Sequence, residues 1–315
     1  MPSINWRTVG FVGTLAAGAG WAISIPAAIG ALIAGLGGAF FMKVLFNQPV
    51  ALDPSKKIPF PLESVTELTH DTKLFRFSLQ SKDHKLGLPV GQHMNLVAKV
   101  DGRTVIRAYT PVSSDDDLGY FDLVVKVYRK NVHPKFPEGG KMSQYLETLK
   151  IGDTIDVRGP AGHITYLGNG HFEFADKSKK LPPRRRHVKK IGMMAGGTGI
   201  TPMLQIIQDV LKHPNDKTEI HLIFANQTEQ DILVHDQLEK CAKDPRVHIW
   251  YTLDRPPQGW KYSEGFIDEE MIRKHLPGPA NDTQILMCGP PPMIKFACMP
   301  NLEKIGFTPD QIATF

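Results

Sequence analysis

GMMAGGTGITPM, residues Gly192–Met203, decides how the second half of this chain is read. Its glycines are crowded as in a phosphate-cradling turn. The stretch nevertheless lacks the lysine of G-x-x-x-x-G-K-[ST], and Pro202 stands where G-x-G-x-x-G, counted from Gly197 and Gly199, places its third glycine. The apolar run IGMMA precedes the glycines, and Leu204, Ile207 and Leu211 follow at helical spacing, so strand, turn, helix is the local prediction. The rhythm repeats through EIHLIFAN (Glu219–Asn226) and the helical DILVHDQLEKCAK (Asp231–Lys243), then VHIWYTL (Val247–Leu253), then QILMCGPPPM (Gln284–Met293). Strands alternating with helices predict a doubly wound parallel sheet over residues 189–315, with ligands at the carboxyl ends of its strands.

The glycine loop then sits where the first parallel strand turns into its helix. Backbone N–H groups at Gly196, Gly197 and Gly199 and the helix dipole favour an anion there, and Thr198 and Thr201 add hydroxyls. Pro202 has the fixed φ suited to a first helical turn. Pyrophosphate is the natural guest, although a glycine run alone is equally a tight turn that binds nothing.

Further toward the amino terminus, residues 173–188 fall in the basic, proline-interrupted run that includes KSKKLPPRRRHVKK (Lys177–Lys190), which reads as a linker or exposed hairpin. Residues 62–172 alternate apolar and polar positions in short runs: KLFRFSLQ (Lys73–Gln80), NLVAKVDGRTVIRAY (Asn95–Tyr109) with Asp101-Gly102 as a hairpin turn, and YFDLVVKVY (Tyr120–Tyr128). An antiparallel barrel is predicted. Residues 46–61, with Pro49, Pro54, Pro59 and Pro61, read as an extended linker. Between Arg7 and Lys43 there is no Asp, Glu, Lys or Arg, so residues 1–45 predict an uncleaved membrane anchor, against a signal peptide or a buried helix. Lys43, Lys56 and Lys57 on its carboxyl side favour a cytosolic body.

Composition sets the outer bounds. At 315 residues, 42% hydrophobic and 22% charged, the chain is an ordinary globular length of about two domains, and +5 is too mild a charge for a nucleic-acid footprint. Cys241, Cys288 and Cys298 make no closed disulfide framework, and no His/Cys spacing predicts a metal.

Three more stretches carry chemistry. RAYTPVSS (Arg107–Ser114) offers a guanidinium and a phenol two residues apart on one face of a strand, against the alternative of an incidental surface arginine. GGKMSQYL (Gly139–Leu146) joins glycines to Lys141 at a helix start, a second anion site unless Ser143 is simply its cap. CGPPPM (Cys288–Met293) puts a cysteine at the ligand edge of the last long strand, where a buried inert thiol is the bland alternative.

RAYTPVSS, GGKMSQYL, GGTGITPM, FANQTEQDIL and CGPPPM, in this order, resemble the NADH-cytochrome b5 reductases of the ferredoxin-reductase-like flavoprotein family, from about Pro59 onward. The resemblance implies an antiparallel Greek-key flavin-binding barrel followed by an NADH-binding α/β domain, with FAD and NADH as cofactors. It implies hydride transfer from NADH to FAD and single-electron transfer to cytochrome b5, an acidic haem protein, in support of lipid metabolism and haem-protein reduction. Carried over by position, Arg107 neutralises FAD phosphate, Ala108 stands where many relatives have proline, Tyr109 packs by the flavin, and Thr110 bonds near its reactive ring. Val124, Lys126 and Tyr128 line the flavin site, Gly140, Lys141, Met142 and Ser143 grip the FAD pyrophosphate, and Thr201 approaches from the second domain. Gly196, Gly197, Thr198, Gly199 and Pro202 form the nicotinamide dinucleotide's pyrophosphate turn. Cys288, Gly289, Pro290, Pro291 and Met293 wall the nicotinamide, with Thr110, Lys126 and Cys288 nearest the chemistry.

Asp231 accepts from the ribose 2′-hydroxyl in this resemblance, selecting NADH over NADPH. Its position past the ~20-residue separation from the glycines otherwise reads as an ordinary acid in a first helical turn. The resemblance further implies a monomer on the endoplasmic reticulum or mitochondrial outer membrane, and sets Phe315 close to either the flavin or the nicotinamide site, without fixing its role. Lys141 and the run Lys177–Lys190 read as docking charge for the haem protein, as lipid contacts or as a solvated linker. A flavin reductase with a different one-electron or quinone acceptor, and a non-catalytic membrane-tethered homologue, are the competing readings.

Overall fold

The computed structural model describes residues 48–132, 137–176 and 181–315. The stretch read as a membrane anchor lies outside the described residues, as does part of the basic run. Among the described residues no helix is long and apolar enough to cross a membrane.

Six antiparallel strands build the first lobe: β1 (Ile58–Glu67), β2 (Thr72–Ser78), β3 (His93–Val100), β4 (Arg103–Tyr109), β5 (Tyr120–Lys126) and β6 (Thr154–Ala161). They pair in the order β4-β3-β6-β1-β2-β5. Asp101 and Gly102 both have positive φ between β3 and β4, the conformation of a tight two-residue hairpin. β1 changes partner midway: Ile58–Pro61 pair with β6, and from Leu62 onward the strand pairs with β2 across a bulge that turns the corner. Leu62 N–H donates to Asp153 O at 2.8 Å, so Pro59 and Pro61, in alternate register, turn their missing donors away from β6, where no strand needs them. The proline-rich stretch is thus part of the lobe, and Ala51, Leu52 and Phe60 are buried in its core. Among the described residues no ladder joins β4 to β5, so the sheet is an antiparallel half-barrel rather than a closed barrel. Phe60, Phe77 and Phe121 fill it, the Phe121 ring centroid lying 5.3 Å from each of the other two, and α1 (Lys141–Thr148) covers it with Met142 and Leu146.

Three short strands follow, β7 (Ile164–Tyr166), β8 (His171–Phe174) and β9 (Arg184–His187), as an antiparallel sheet. Within the basic run, Arg184–His187 therefore pairs as a strand with β8. Arg184 and Arg186 donate to the carbonyl of Asp310, and Arg186 also to those of Asn281 and Thr283, which ties this strand to the second lobe.

That lobe is a six-stranded parallel sheet, β10 (Lys190–Gly196), β11 (Glu219–Asn226), β12 (Val247–Leu253), β13 (Ser263–Glu264), β14 (Thr283–Cys288) and β15 (Ile312–Thr314), ordered β13-β12-β11-β10-β14-β15. Consecutive residues of β10 point to opposite faces, so Met193 packs in one core with α2 (Ile200–Lys212) and Met194 in another with Ile223, Ile285 and Leu302. The helix expected over Asp231–Lys243 is shorter. Asp231 closes a 3-10 turn, Val234 adopts a left-handed φ of 52°, and α3 begins only at His235 (His235–Cys241). A β-branched residue in that conformation interrupts the helix. α4 (Glu269–His275) and the segments α5 (Pro291–Met293) and α6 (Met299–Ile305) complete the lobe.

Candidate functional site

Strand order reverses at β10: β11 and β12 lie to one side of it, β14 and β15 to the other. A crevice opens beyond the carboxyl ends of strands at such a switch point. The two loops that leave it are the glycine turn Gly197–Gly199 after β10 and Cys288-Gly289-Pro290 after β14. They touch through their backbones. A Cβ on Gly199 would collide with the Cys288 carbonyl, and one on Gly196 would lie 2.7 Å from Met293 Sδ and 2.9 Å from Pro290 Cδ. One on Gly289 would lie 3.1 Å from Gly196 N. Only glycine permits this approach, whereas Gly197, with φ 52°, faces open space.

α2 starts from Gly199 with no side-chain cap and no acid in its first turn, and Pro202 falls where the helix needs no donor. α1 starts the same way from Gly140, again uncapped and without an acid. Ser143 is not its cap; the hydroxyl donates to Gly140 O at 3.0 Å and accepts from Tyr128 N–H at 3.2 Å. By contrast Asp268 caps α4, with Glu269 and Glu270 in its first turn. The N–H groups that open α1 are thus left for an external anion, with the dipole in its favour. At α2 the Ile200 N–H donates back to the Gly197 carbonyl, and the dipole favours an anion beside the glycine turn that leads into the helix.

Both helix starts adjoin β5 and its continuation. The glycine turn packs against β5, and buried Val124 joins the core of Ile200 and Met203, on which Cys288, Val112 and Phe315 also pack. At the other helix, Gly139 and Gly140 let Tyr128 approach so closely that Gly140 N–H donates to Tyr128 O at 2.8 Å. Tyr128 leaves a half-exposed ring, and β4 presents Arg107, Ala108 and Tyr109 beside α1, with Thr110 buried next to them. Burial pushes the Tyr109 phenol up to about 12, and the neighbouring Tyr128 adds to this, so it is a neutral donor at physiological pH. Arg107 donates to its neighbour's carbonyl, Ile106 O, at 2.8 Å; among the described residues neither Arg107 nor Lys141 pairs with a carboxylate. Two uncommitted cations, the uncapped start of α1 and exposed aromatic surface suit a flavin dinucleotide, and this donor set fits FAD.

Cys288 is partly exposed at the crevice, and burial pushes its thiol up to about 11. Thr201 is buried, its hydroxyl bonded to Thr198 O at 3.2 Å. Phe315 N–H donates to Met287 O at 3.0 Å, which sets that residue beside Cys288 at the ligand edge.

Lys126 and Asp231, assigned to different cofactors by sequence, meet directly. Lys126 Nζ lies 2.7 Å from Asp231 Oδ1 and 2.7 Å from Oδ2 of Asp71, a residue the sequence reading missed. Burial alone would lower the lysine's pKa, but the bonds to Asp231 and Asp71 outweigh it and raise it. Burial likewise opposes ionisation of Asp231, yet the Lys126 and Thr228 bonds hold its carboxyl below the ordinary value. Asp71 gives no motif of its own. Its only sequence signal is an acid between Thr69 and Thr72 in a strand-to-strand turn.

The chain matches the oxidoreductase FAD-binding domain over residues 59–166 and the oxidoreductase NAD-binding domain over residues 193–299. It is 59% identical to NADH-cytochrome b5 reductase 2 of Gallus gallus over 264 residues, 83% of this chain and 86% of that protein. To NADH-cytochrome b5 reductase 1 of Homo sapiens it is 56% identical over 263 residues, with the same shares covered. The cytochrome b5 reductase domain of Ulva prolifera nitrate reductase superposes with a TM-score of 0.79 at 50% identity, covering 85% of this chain and 100% of that one. With both cofactor domains matched and relatives this similar over most of its length, the chain belongs to the NADH-cytochrome b5 reductase family of FAD- and NAD-binding oxidoreductases.

Proposed function

We propose that this chain passes reducing equivalents from NADH, through bound FAD, to cytochrome b5. The observation that carries this reading is the pair of uncapped, glycine-started, acid-free helices, one on each lobe, that adjoin β5 and its continuation. FAD supplies the chemistry of taking two electrons from a dinucleotide and releasing them one at a time. The protein's part is to bind, orient and exclude water.

On the first lobe, Arg107, Lys141 and the α1 N–H groups neutralise phosphate, and Tyr109 donates its phenolic proton without ionising. On the second, the turn Gly196–Gly199 takes the other pyrophosphate, and Gly199, Cys288 and Gly289 hold the two crevice loops at backbone contact. Val124, Val112, Cys288 and Phe315 line the junction with apolar surface, which favours stacked rings over water. Asp231 faces the adenosine ribose in this reading, at the end of β11.

Residues 1–45 serve as a membrane anchor with the body in the cytosol, at the endoplasmic reticulum or mitochondrial outer membrane; the uncharged stretch between Arg7 and Lys43 supports this. The protein acts as a monomer. Protease protection in sealed vesicles tests the first statement, and sedimentation in detergent tests the second.

The deciding experiment is an anaerobic absorption titration of the flavin-loaded protein with NADH, then NADPH, then addition of oxidised cytochrome b5. Bleaching by NADH far below the NADPH concentration needed, followed by reduction of the haem, is the expected result. Bleaching without haem reduction would transfer the assignment to another one-electron or quinone acceptor, and a protein that holds no flavin would end the enzymatic reading.

A further inference from the structure

Asp71 and Asp231 come from different lobes, yet they share one ammonium, and the two carboxylates are built alike. Asp71 Oδ1 accepts from Thr69 Oγ1 at 3.3 Å and Thr72 Oγ1 at 3.0 Å, which leaves Oδ2 for Lys126 at 2.7 Å. Asp231 Oδ2 accepts from Thr228 N–H at 3.0 Å and Thr228 Oγ1 at 2.6 Å, which leaves Oδ1 for Lys126 at 2.7 Å. Each acid is fixed by its own turn and presents one oxygen to the shared cation. The three side chains are only 17%, 13% and 18% exposed for Asp71, Asp231 and Lys126, so solvent screens the cluster weakly. His70 Nε2 lies 3.4 Å from Asp71 Oδ2, and the ligand atoms of His70, Asp71 and Asp231 fall within 4.8 Å of one another. That spacing would suit a metal, but the lysine already bonds both carboxylates.

A carboxylate that repels a 2′-phosphate does so only while it is unneutralised, and a Lys126–Asp231 pair alone would carry no net charge. Its ammonium, with one of three donors engaged, would even be available to a phosphate. Asp71 changes both facts, because it takes a second donor and leaves the cluster net negative.

We propose that Asp71, on the flavin lobe, is a specificity-determining residue for the dinucleotide bound by the other lobe: by clamping Lys126 it keeps the Asp231 corner negative and closed to a 2′-phosphate. This rests on the reading that Asp231 faces the adenosine ribose.

The test is equilibrium binding of 5′-AMP and 2′,5′-ADP to the flavin-loaded wild type, Asp71→Asn and Asp71→Glu, at a pH of about 8 where imidazoles are neutral. NADH and NADPH reduction of the flavin is followed in parallel. The wild type is expected to prefer 5′-AMP, and D71N to lose about tenfold of that preference, close to 1.4 kcal/mol, through tighter 2′,5′-ADP binding. D71E, which keeps the charge, should retain the preference. A D71N protein that weakens on both nucleotides alike, or whose ratio does not move while NADH still reduces its flavin, overturns the role of Asp71 alone. A wild type that binds neither nucleotide overturns this assignment together with the proposed function.

Discussion

The α-carbon of Gly199 rests against the backbone of Cys288, so that a methyl group there would overlap the Cys288 carbonyl and come within 2.9 Å of Gly289 N. The obstacle is backbone on both sides, which cannot swing away as a side chain can. Gly199→Ala is therefore expected to spread the two crevice loops and cost about 1–3 kcal/mol of stability. Urea unfolding and the KM for NADH check this together: a variant as stable as the wild type with an unchanged KM would show that the loops do not need their contact.

In the proposed function Arg107 and Lys141 neutralise the flavin phosphates, and neither has a carboxylate partner among the described residues. Losing a charge-assisted bond of this kind costs about 1.5–3 kcal/mol. Arg107→Ala should thus release FAD roughly ten- to a hundredfold more readily, read as flavin fluorescence after dilution, with Lys141→Ala weaker in the same direction. Full flavin retention by R107A would remove the arginine from the site.

The fully buried Asp216 fastens the small sheet to the parallel lobe, accepting from Tyr166 Oη at 2.6 Å, Asn169 N–H at 2.7 Å, and Thr218 Oγ1 at 2.6 Å. Burial opposes its charge, but the hydrogen bonds from Thr218 and Tyr166 prevail and its pKa is lowered. A carboxyl depressed in the folded state adds stability that is complete above its unfolded value of about 3.9 and is lost as pH falls through the folded value. Asp216→Asn should therefore lower the urea midpoint near neutrality by the equivalent of about 1–3 kcal/mol and flatten the loss of stability below about pH 4. Parallel acid limbs in the two proteins would contradict this.

With its thiol pushed up to about 11, Cys288 stays protonated across the working range and offers packing rather than charge. The rate of flavin reduction by NADH should show no ionisation from this residue between about pH 6 and 9, and the Cys288→Ser profile should superimpose on the wild type after scaling. A limb that vanishes in C288S would restore a thiolate to the mechanism.

Local pattern was enough to read the parallel lobe: the apolar runs of β10, β11, β12 and β14 are buried on both faces, and the glycines after β10 mark its turn. The half-barrel's hairpin at Asp101-Gly102 was equally legible, since that dipeptide tolerates positive φ. Long-range consequences were not. The strand role of Pro59 and Pro61 depends on which neighbour lies on which side of β1, and the late start of α3 depends on a left-handed Val234 that no propensity favours. The sharing of Lys126 between Asp71 and Asp231 joins residues far apart in the chain, each of which looks locally like an ordinary turn acid or strand lysine.

One core runs beneath both Tyr166 of β7 and Leu222 of β11, and it also takes in Ile164, Phe172, Phe174 and Val124. A cut near residue 189, where composition changes, would strip the parallel sheet of aromatic side chains that cover one of its faces. Modules exchanged between reductases of this kind, by recombination or by a protein engineer, should therefore be joined upstream of β7, so that the small sheet travels with the lobe it shields.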